Sequence, residues 1–238
     1  YYGLVKQEIR KLMAKQVEGI IYVTAHERIM HCIPDNLPIP AVMAYGYTQS
    51  GKVPSVVVDD EHGAYEAVQY LIGQGHRRIG VITGKSDSLH MQARLVGYQK
   101  ALRDNGLLYE PELVYYGDWN RETGYKGAGV LFERKVTAIF CMNDIMAGGV
   151  YDWADEMKKK IPEEISVVGY DNRELSSYYK PPLTTITLPL HDIGYRAAEV
   201  MIEMLDGKIS SQKEELVYQM PCHRLVRKSV QELKMAGK

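Results

Sequence analysis

Four polar clusters in this chain pair acceptor carboxylates with donor guanidinium and amide groups. That is the chemistry that grips hydroxyl-rich ligands, because a hydroxyl both donates and accepts. Arg94, in Gln92-Ala93-Arg94-Leu95, lies early in a helical pattern, as a planar donor fork for a cleft or as a surface arginine. Trp119, in Gly117-Asp118-Trp119-Asn120, follows an apolar run, as core or as an exposed plate suited to the C–H face of a sugar ring. Asn143-Asp144 ends the run Thr137-Ala138-Ile139-Phe140. Either residue can cap the next helix, and one suffices, which leaves the other to face a cleft. We assign Asn143 to a ligand hydroxyl and Asp144 to the cap, with Ala147, Gly148 and Gly149 letting the helix lie close to the sheet or to a partner lobe. Asp171, in Gly169-Tyr170-Asp171-Asn172, is a bidentate acceptor for neighbouring hydroxyls.

Turnover has no comparable support. Gly80-Val81-Ile82-Thr83-Gly84-Lys85-Ser86 has three residues between its glycines where a phosphate loop has four, and Val81 and Ile82 read as strand. His26-Glu27-Arg28-Ile29-Met30-His31 spaces its histidines five apart, on different helix faces, so they cannot share a zinc ion. Ser177-Tyr178-Tyr179-Lys180 runs into Pro181-Pro182, which stops the helix that would set lysine beside serine. No pair of carboxylates is arranged for general acid and base work. The expectation is binding without catalysis, metal or cofactor.

The elements that must position these residues alternate. An amphipathic helix marked by Val5, Ile9, Leu12 and Met13 precedes a strand at 19–23. Further strands read at 41–44, 55–58, 79–83, 113–116, 138–141 and 165–169, with helices at 64–73, 92–105, 122–133, 145–157 and 193–205. Apolar strands separated by helices make an α/β chain with doubly wound parallel sheets, and ligands there sit at the carboxyl ends of the strands. Because a helix comes first, the chain is expected to begin inside a domain.

With 238 residues, 45% apolar and 25% charged, the chain can build one large or two modest domains. A net charge of -1 gives no global field for nucleic acid or membrane. The three cysteines, Cys32, Cys141 and Cys222, form no framework and suit a reducing cytosol, so the expected location is cytoplasmic. No stretch approaches the ~18 apolar residues of a membrane span.

Taken in order, these residues closely resemble the LacI/GalR family of bacterial transcription regulators. The likeness runs from about residue 4 to 230 and includes Gly75-His76-Arg77-Arg78-Ile79-Gly80, Asn143-Asp144 with Ala147-Gly148, Ile165-Ser166-Val167-Val168-Gly169-Tyr170-Asp171, Pro181-Pro182-Leu183-Thr184-Thr185-Ile186 and Arg224-Leu225-Val226-Arg227-Lys228-Ser229. It implies a periplasmic-binding-protein-like fold of two doubly wound lobes, 1–58 with 190–217 and 59–189 with 218–230, and an effector bound between them. The family's amino-terminal helix-turn-helix, with the first strand, helix and second strand of its first lobe, is expected to be absent. Operator DNA would then be reached only through that missing part. The likeness places Arg94, Trp119, Asn143 and Asp171 at effector-binding positions, with Tyr45 where many members carry a polar residue. It implies a small sugar effector, a galactoside or related hexose rather than a purine, and a homodimer with contacts that include the helix at 64–73. The rival readings are an exported sugar-binding protein of a transporter, a regulator with a non-sugar effector, and an enzyme on the same scaffold.

Overall fold

A computed structural model describes residues 2–25, 28–34, 37–209 and 216–233. His26 and Glu27 of the near-miss zinc motif lie outside the described residues. The chain divides into two compact units, Tyr1–Asp59 with Pro189–Pro221, and Asp60–Leu188 with Cys222–Lys238. Elements are numbered in chain order.

The first unit holds α1 (Tyr2–Ala14), β1 (Ile20–Val23), β2 (Ile29–Met30), β3 (Ala41–Ala44), β4 (Tyr47–Thr48), β5 (Ser55–Val58), α6 (Leu190–Leu205) and β11 (Val217–Met220). Its main sheet is parallel, in the order β1-β3-β5-β11, and β2 pairs with β4 beside it. All four residues of β3 and of β5 are buried, as two-face coverage requires of central parallel strands. α6 packs on this sheet through Ile193, Ala197, Val200 and Met201, spaced at helical period along one stripe. At Gly19 a β-carbon would meet the flexible end of the Met201 side chain, which would have to shift.

The second unit holds α2 (Asp60–Gly73), β6 (Ile79–Ile82), α3 (Leu89–Asp104), β7 (Val114–Tyr115), α4 (Arg121–Glu133), β8 (Ala138–Cys141), α5 (Asp144–Glu156), β9 (Ser166–Asp171), β10 (Thr184–Thr187) and β12 (His223–Leu225). The six strands run β12-β10-β9-β8-β6-β7, all parallel except β12, which returns antiparallel to β10. α2 packs with α3 and α4 with α5. A β-carbon at Gly124 would meet the Met146 carbonyl, and one at Gly149 the Arg121 carbonyl, so glycine brings the α4 and α5 backbones together. Gly149 of α5 therefore serves its neighbour α4, Gly148 lies against Tyr179 and the Arg121 side chain, and α5 also packs on β8 and β9.

Several elements differ from their expected form. α2 begins at Asp60 rather than 64, with Asp60 and Glu61 in its first turn, where acidic side chains favour the positive end of the helix. Only Val114 and Tyr115 form β7, because a 3-10 turn takes Pro111–Leu113. β10 and β12 were not expected, nor was β11, whose pairing with β5 puts 218–220 in the first unit. The last crossing therefore falls after Pro221 rather than after 217. Among the described residues, no helix is long and apolar enough to cross a membrane.

Candidate functional site

The carboxyl ends of β6, β8 and β9 bring four of the five expected residues together in the second unit. The first is Arg94, on α3. Ser88 caps this helix, its side chain accepting from the Met91 N–H. His90 and Arg94 follow four residues apart, hence on one helix face, and both address the same carboxylate. His90 Nδ1 lies 2.5 Å from Asp60 Oδ2, and Arg94 Nε donates to Asp60 Oδ1 at 2.6 Å. Arg94 Nη1 donates to the Met142 carbonyl and lies 3.6 Å from Asp171 Oδ1. The guanidinium carbon sits 3.6 Å from the Tyr170 ring centre and 5.7 Å from that of Trp119. Arg94 is 2% exposed, so it is a buried fork and not a surface arginine. Among the described residues, its Nη2 meets no hydrogen-bond acceptor.

Electrostatics fix this group in its charged form. Burial works against the Arg94 charge, but Asp60, Tyr170 and Asp171 outweigh it and push its pKa up. For Asp60, burial is likewise the largest influence and raises the pKa, yet Arg94 and His90 together bring it below the usual carboxylate range. Asp171 goes the other way: burial raises it more than Arg94 and Arg173 lower it. One guanidinium thus serves two carboxylates, and Asp60 holds the closer share.

Asn143 caps α5, correcting the expected division of labour. Its Oδ1 accepts from the Met146 N–H at 2.7 Å, and its Nδ2 donates to the Trp119 carbonyl at 3.0 Å. Asp144 is fully buried instead, its carboxylate accepting from Thr185 Oγ1 at 2.6 Å and from the Arg173 N–H at 2.7 Å. Asn143 therefore ties two loops together, with Trp119 as the other end of the tie. The Trp119 indole is half-buried and lies on Gly84, where a β-carbon would fall within the ring. One side of the expected plate is thereby covered.

Seven described non-glycine residues have positive φ. Gln16, Lys135 and Lys158 follow helices and donate N–H bonds back into the last turn, an ordinary helix ending. The other four, Tyr45 (65°), Trp119 (61°), Asp171 (102°) and Asn172 (53°), lie beyond or at the carboxyl ends of strands. Backbone strain of about 1–3 kcal/mol per residue is characteristic of ligand-binding turns. Three of these four are expected site residues. Tyr45 belongs to the first unit, at the end of β3, where its carbonyl accepts from Thr24 Oγ1.

Asp60, His90 and Tyr170 were missed. The run Asp59-Asp60-Glu61 at a strand-to-helix junction was the available signal for Asp60, and the i,i+4 spacing from Arg94 was that for His90. Among the described residues, no group of three His, Cys, Asp or Glu side chains could hold a metal ion.

Comparison with known proteins gives three findings. Residues 68–230 match the model of the periplasmic binding protein-like domain. The chain is 32% identical to the HTH-type transcriptional repressor PurR of Aliivibrio salmonicida, over 96% of this chain and 69% of the relative. It is 34% identical to the HTH-type transcriptional repressor CytR of Escherichia coli K12, over 96% and 67%. Among solved structures, it resembles a LacI family transcriptional regulator from Enterococcus faecium with bound ribose, at TM-score 0.75 and 26% identity, covering 94% of this chain and 84% of that one.

Proposed function

The chain belongs to the LacI/GalR family of transcription regulators, as its effector-binding domain and not as an enzyme, and we propose that its effector is a small sugar, a galactoside or related hexose. The observation that carries this reading is Arg94. It is held from one side by Asp60 and the Met142 carbonyl, and beside it stand a second carboxylate, Asp171, and an indole. Sugar hydroxyls would accept from Nη2 and donate to Asp171, while the apolar face of the ring lies against Trp119. The ribose bound by the Enterococcus relative supports a sugar as the effector class. Tyr45 is included on family resemblance.

Binding would favour one conformation of the regulator through differential contacts and so alter its hold on operator DNA. That hold is exerted by a helix-turn-helix part, by analogy with the HTH-type repressors named above. The working assembly is a cytoplasmic homodimer with two-fold symmetry. Titration calorimetry against galactose, methyl β-galactoside, glucose, ribose and a purine base tests the effector class. Saturable heat with a hexose is expected. Heat with the purine alone would replace the sugar, since a flat heterocycle also suits the Trp119 face.

A further inference from the structure

Asp171 presents its carboxylate from a turn of unusual backbone conformation. Asp171 and Asn172 are consecutive residues with φ of 102° and 53°, a conformation that L side chains adopt rarely. Something must hold the turn there. Two N–H groups of the turn point inward: Asn172 donates to Thr185 Oγ1 at 3.4 Å and Arg173 to Asp144 Oδ2 at 2.7 Å. Thr185 passes its own proton on to Asp144 Oδ1 at 2.6 Å. Both anchors therefore end on one buried carboxylate. Gly169 makes room for it, since a β-carbon there would strike Asp144 Oδ1.

We propose that Asp144 is the positioning residue of the effector site: its carboxylate clamps the Asp171–Arg173 turn, and protonation of that carboxylate slackens the clamp. This rests on the reading of Asp171 as an effector ligand. Bonds to an ionised carboxylate are roughly twice as strong as neutral ones, so the charge state matters to the turn. Burial pushes the Asp144 pKa up to about 7, against the Thr185 hydroxyl, the Arg173 N–H and Arg227. The groups facing it are Asp171 from β9, Arg227 from the carboxyl-terminal segment, Cys141 from β8, and Tyr151 and Tyr179. Asp171 shares the negative field and disfavours a second charge, while Arg227 favours it.

The test needs no ligand at first. Amide hydrogen exchange is measured at pH 8 and pH 5.5 for wild type, Asp144→Ala and Asp144→Asn, with rates corrected for intrinsic pH dependence. Wild-type protection of the 172 and 173 amides is expected to fall about tenfold on acidification. Asp144→Asn, the isostere of the neutral acid, should show the lower protection at both pH values, and Asp144→Ala lower still. Equal protection in all three proteins at both pH values overturns the clamp. Should Asp144→Ala fail to fold, Thr185→Val removes one anchor and is expected to expose the 172 amide.

A second arm titrates methyl β-galactoside. If wild type binds it, Asp144→Ala should bind at least tenfold more weakly. Altered exchange with unchanged affinity would overturn the positioning role while leaving the sugar reading intact. If wild type binds no sugar, the sugar reading fails alone, and the exchange profile still decides the clamp.

Discussion

The two ends of the six-stranded sheet are built from different chemistry. At the carboxyl ends, the buried Asp60, Arg94 and Asp144 and the partly buried Asp171 gather beneath turns with positive φ. At the amino ends, the fully buried bonds are neutral, with the partly exposed Arg78–Glu110 ion pair beside them. Ser229 Oγ donates to the Val167 carbonyl at 2.6 Å and accepts from the Thr184 N–H at 2.8 Å. Gln231 and Leu233 continue this seal by donating backbone N–H groups to Ser166 Oγ and the Gln74 carbonyl. His76, fully buried, meets Thr137 Oγ1 at 2.9 Å. One end closes the core; the other gathers charge and positive-φ turns, and there the proposed effector site lies.

The comparison breaks most visibly at Arg94. Arg94→Ala leaves the Asp60 carboxylate buried without its main partner, which should cost about 3–5 kcal/mol of stability. The same change should weaken effector binding a hundredfold or more. Arg94→Lys keeps the charge but not the fork, and is expected to recover most of the stability and little of the affinity. Denaturant unfolding and calorimetry of both variants separate the two losses.

The next effect is on pH dependence, where the two ends have opposite signs. Burial lowers the His76 pKa to about 4, against the pull of the Gln231 backbone. Its folded form binds a proton less readily than the unfolded chain, so stability is full above pH ~6.5 and falls by about 3 kcal/mol as pH drops through ~4. Asp144, raised from 3.8 to about 7, behaves inversely. Its folded form binds the proton more readily, so it costs about 4 kcal/mol above pH ~7, a cost that vanishes as pH falls toward ~4. His76→Gln should make the protein relatively more stable in acid, and Asp144→Asn should remove the alkaline cost. Unfolding midpoints between pH 4 and 8 read both slopes.

Ser229→Ala probes the neutral end. Losing both bonds should destabilise the fold by about 1–3 kcal/mol and leave effector affinity unchanged. Trp119→Ala should do the reverse on a smaller scale, with about tenfold weaker binding and little change in unfolding midpoint.

Legibility in the sequence divides along the same line. Strands Ala41–Ala44, Ser55–Val58 and Ala138–Cys141 stand out because, Ser55 apart, their residues are apolar in unbroken runs and are buried on both faces. β10 was missed because its threonines carry hydroxyls. In the fold, two of those hydroxyls are consumed: Thr184 accepts from the Arg227 N–H and Thr185 donates to Asp144. β11 is short and largely exposed and β12 is exposed throughout, with no buried stripe to read. For the site, residue type and strand-end position pointed to Asp171, while Arg94 on its helix stayed open between fork and surface arginine until the family resemblance placed it; neither signal reached Asp60, which lies 34 residues from Arg94 in sequence. Giving the cap to Asp144 was wrong, because either side chain can cap in principle and Asn143 is the one that does. What separates them is burial beside Gly169 and Thr185, a property of distant chain.

The chain has two tryptophans, and Trp153 is buried against Phe132 in the second unit. Trp153→Phe therefore leaves Trp119 as the sole indole reporter, beside Arg94. Titrating this variant with methyl β-galactoside while following indole emission puts the central claim to its most direct test. A saturable change in emission, with the same midpoint as the calorimetric heat and absent in the Arg94→Lys background, is the expected result. Calorimetric binding with silent Trp119 emission that survives Arg94→Lys would place the effector elsewhere and contradict it.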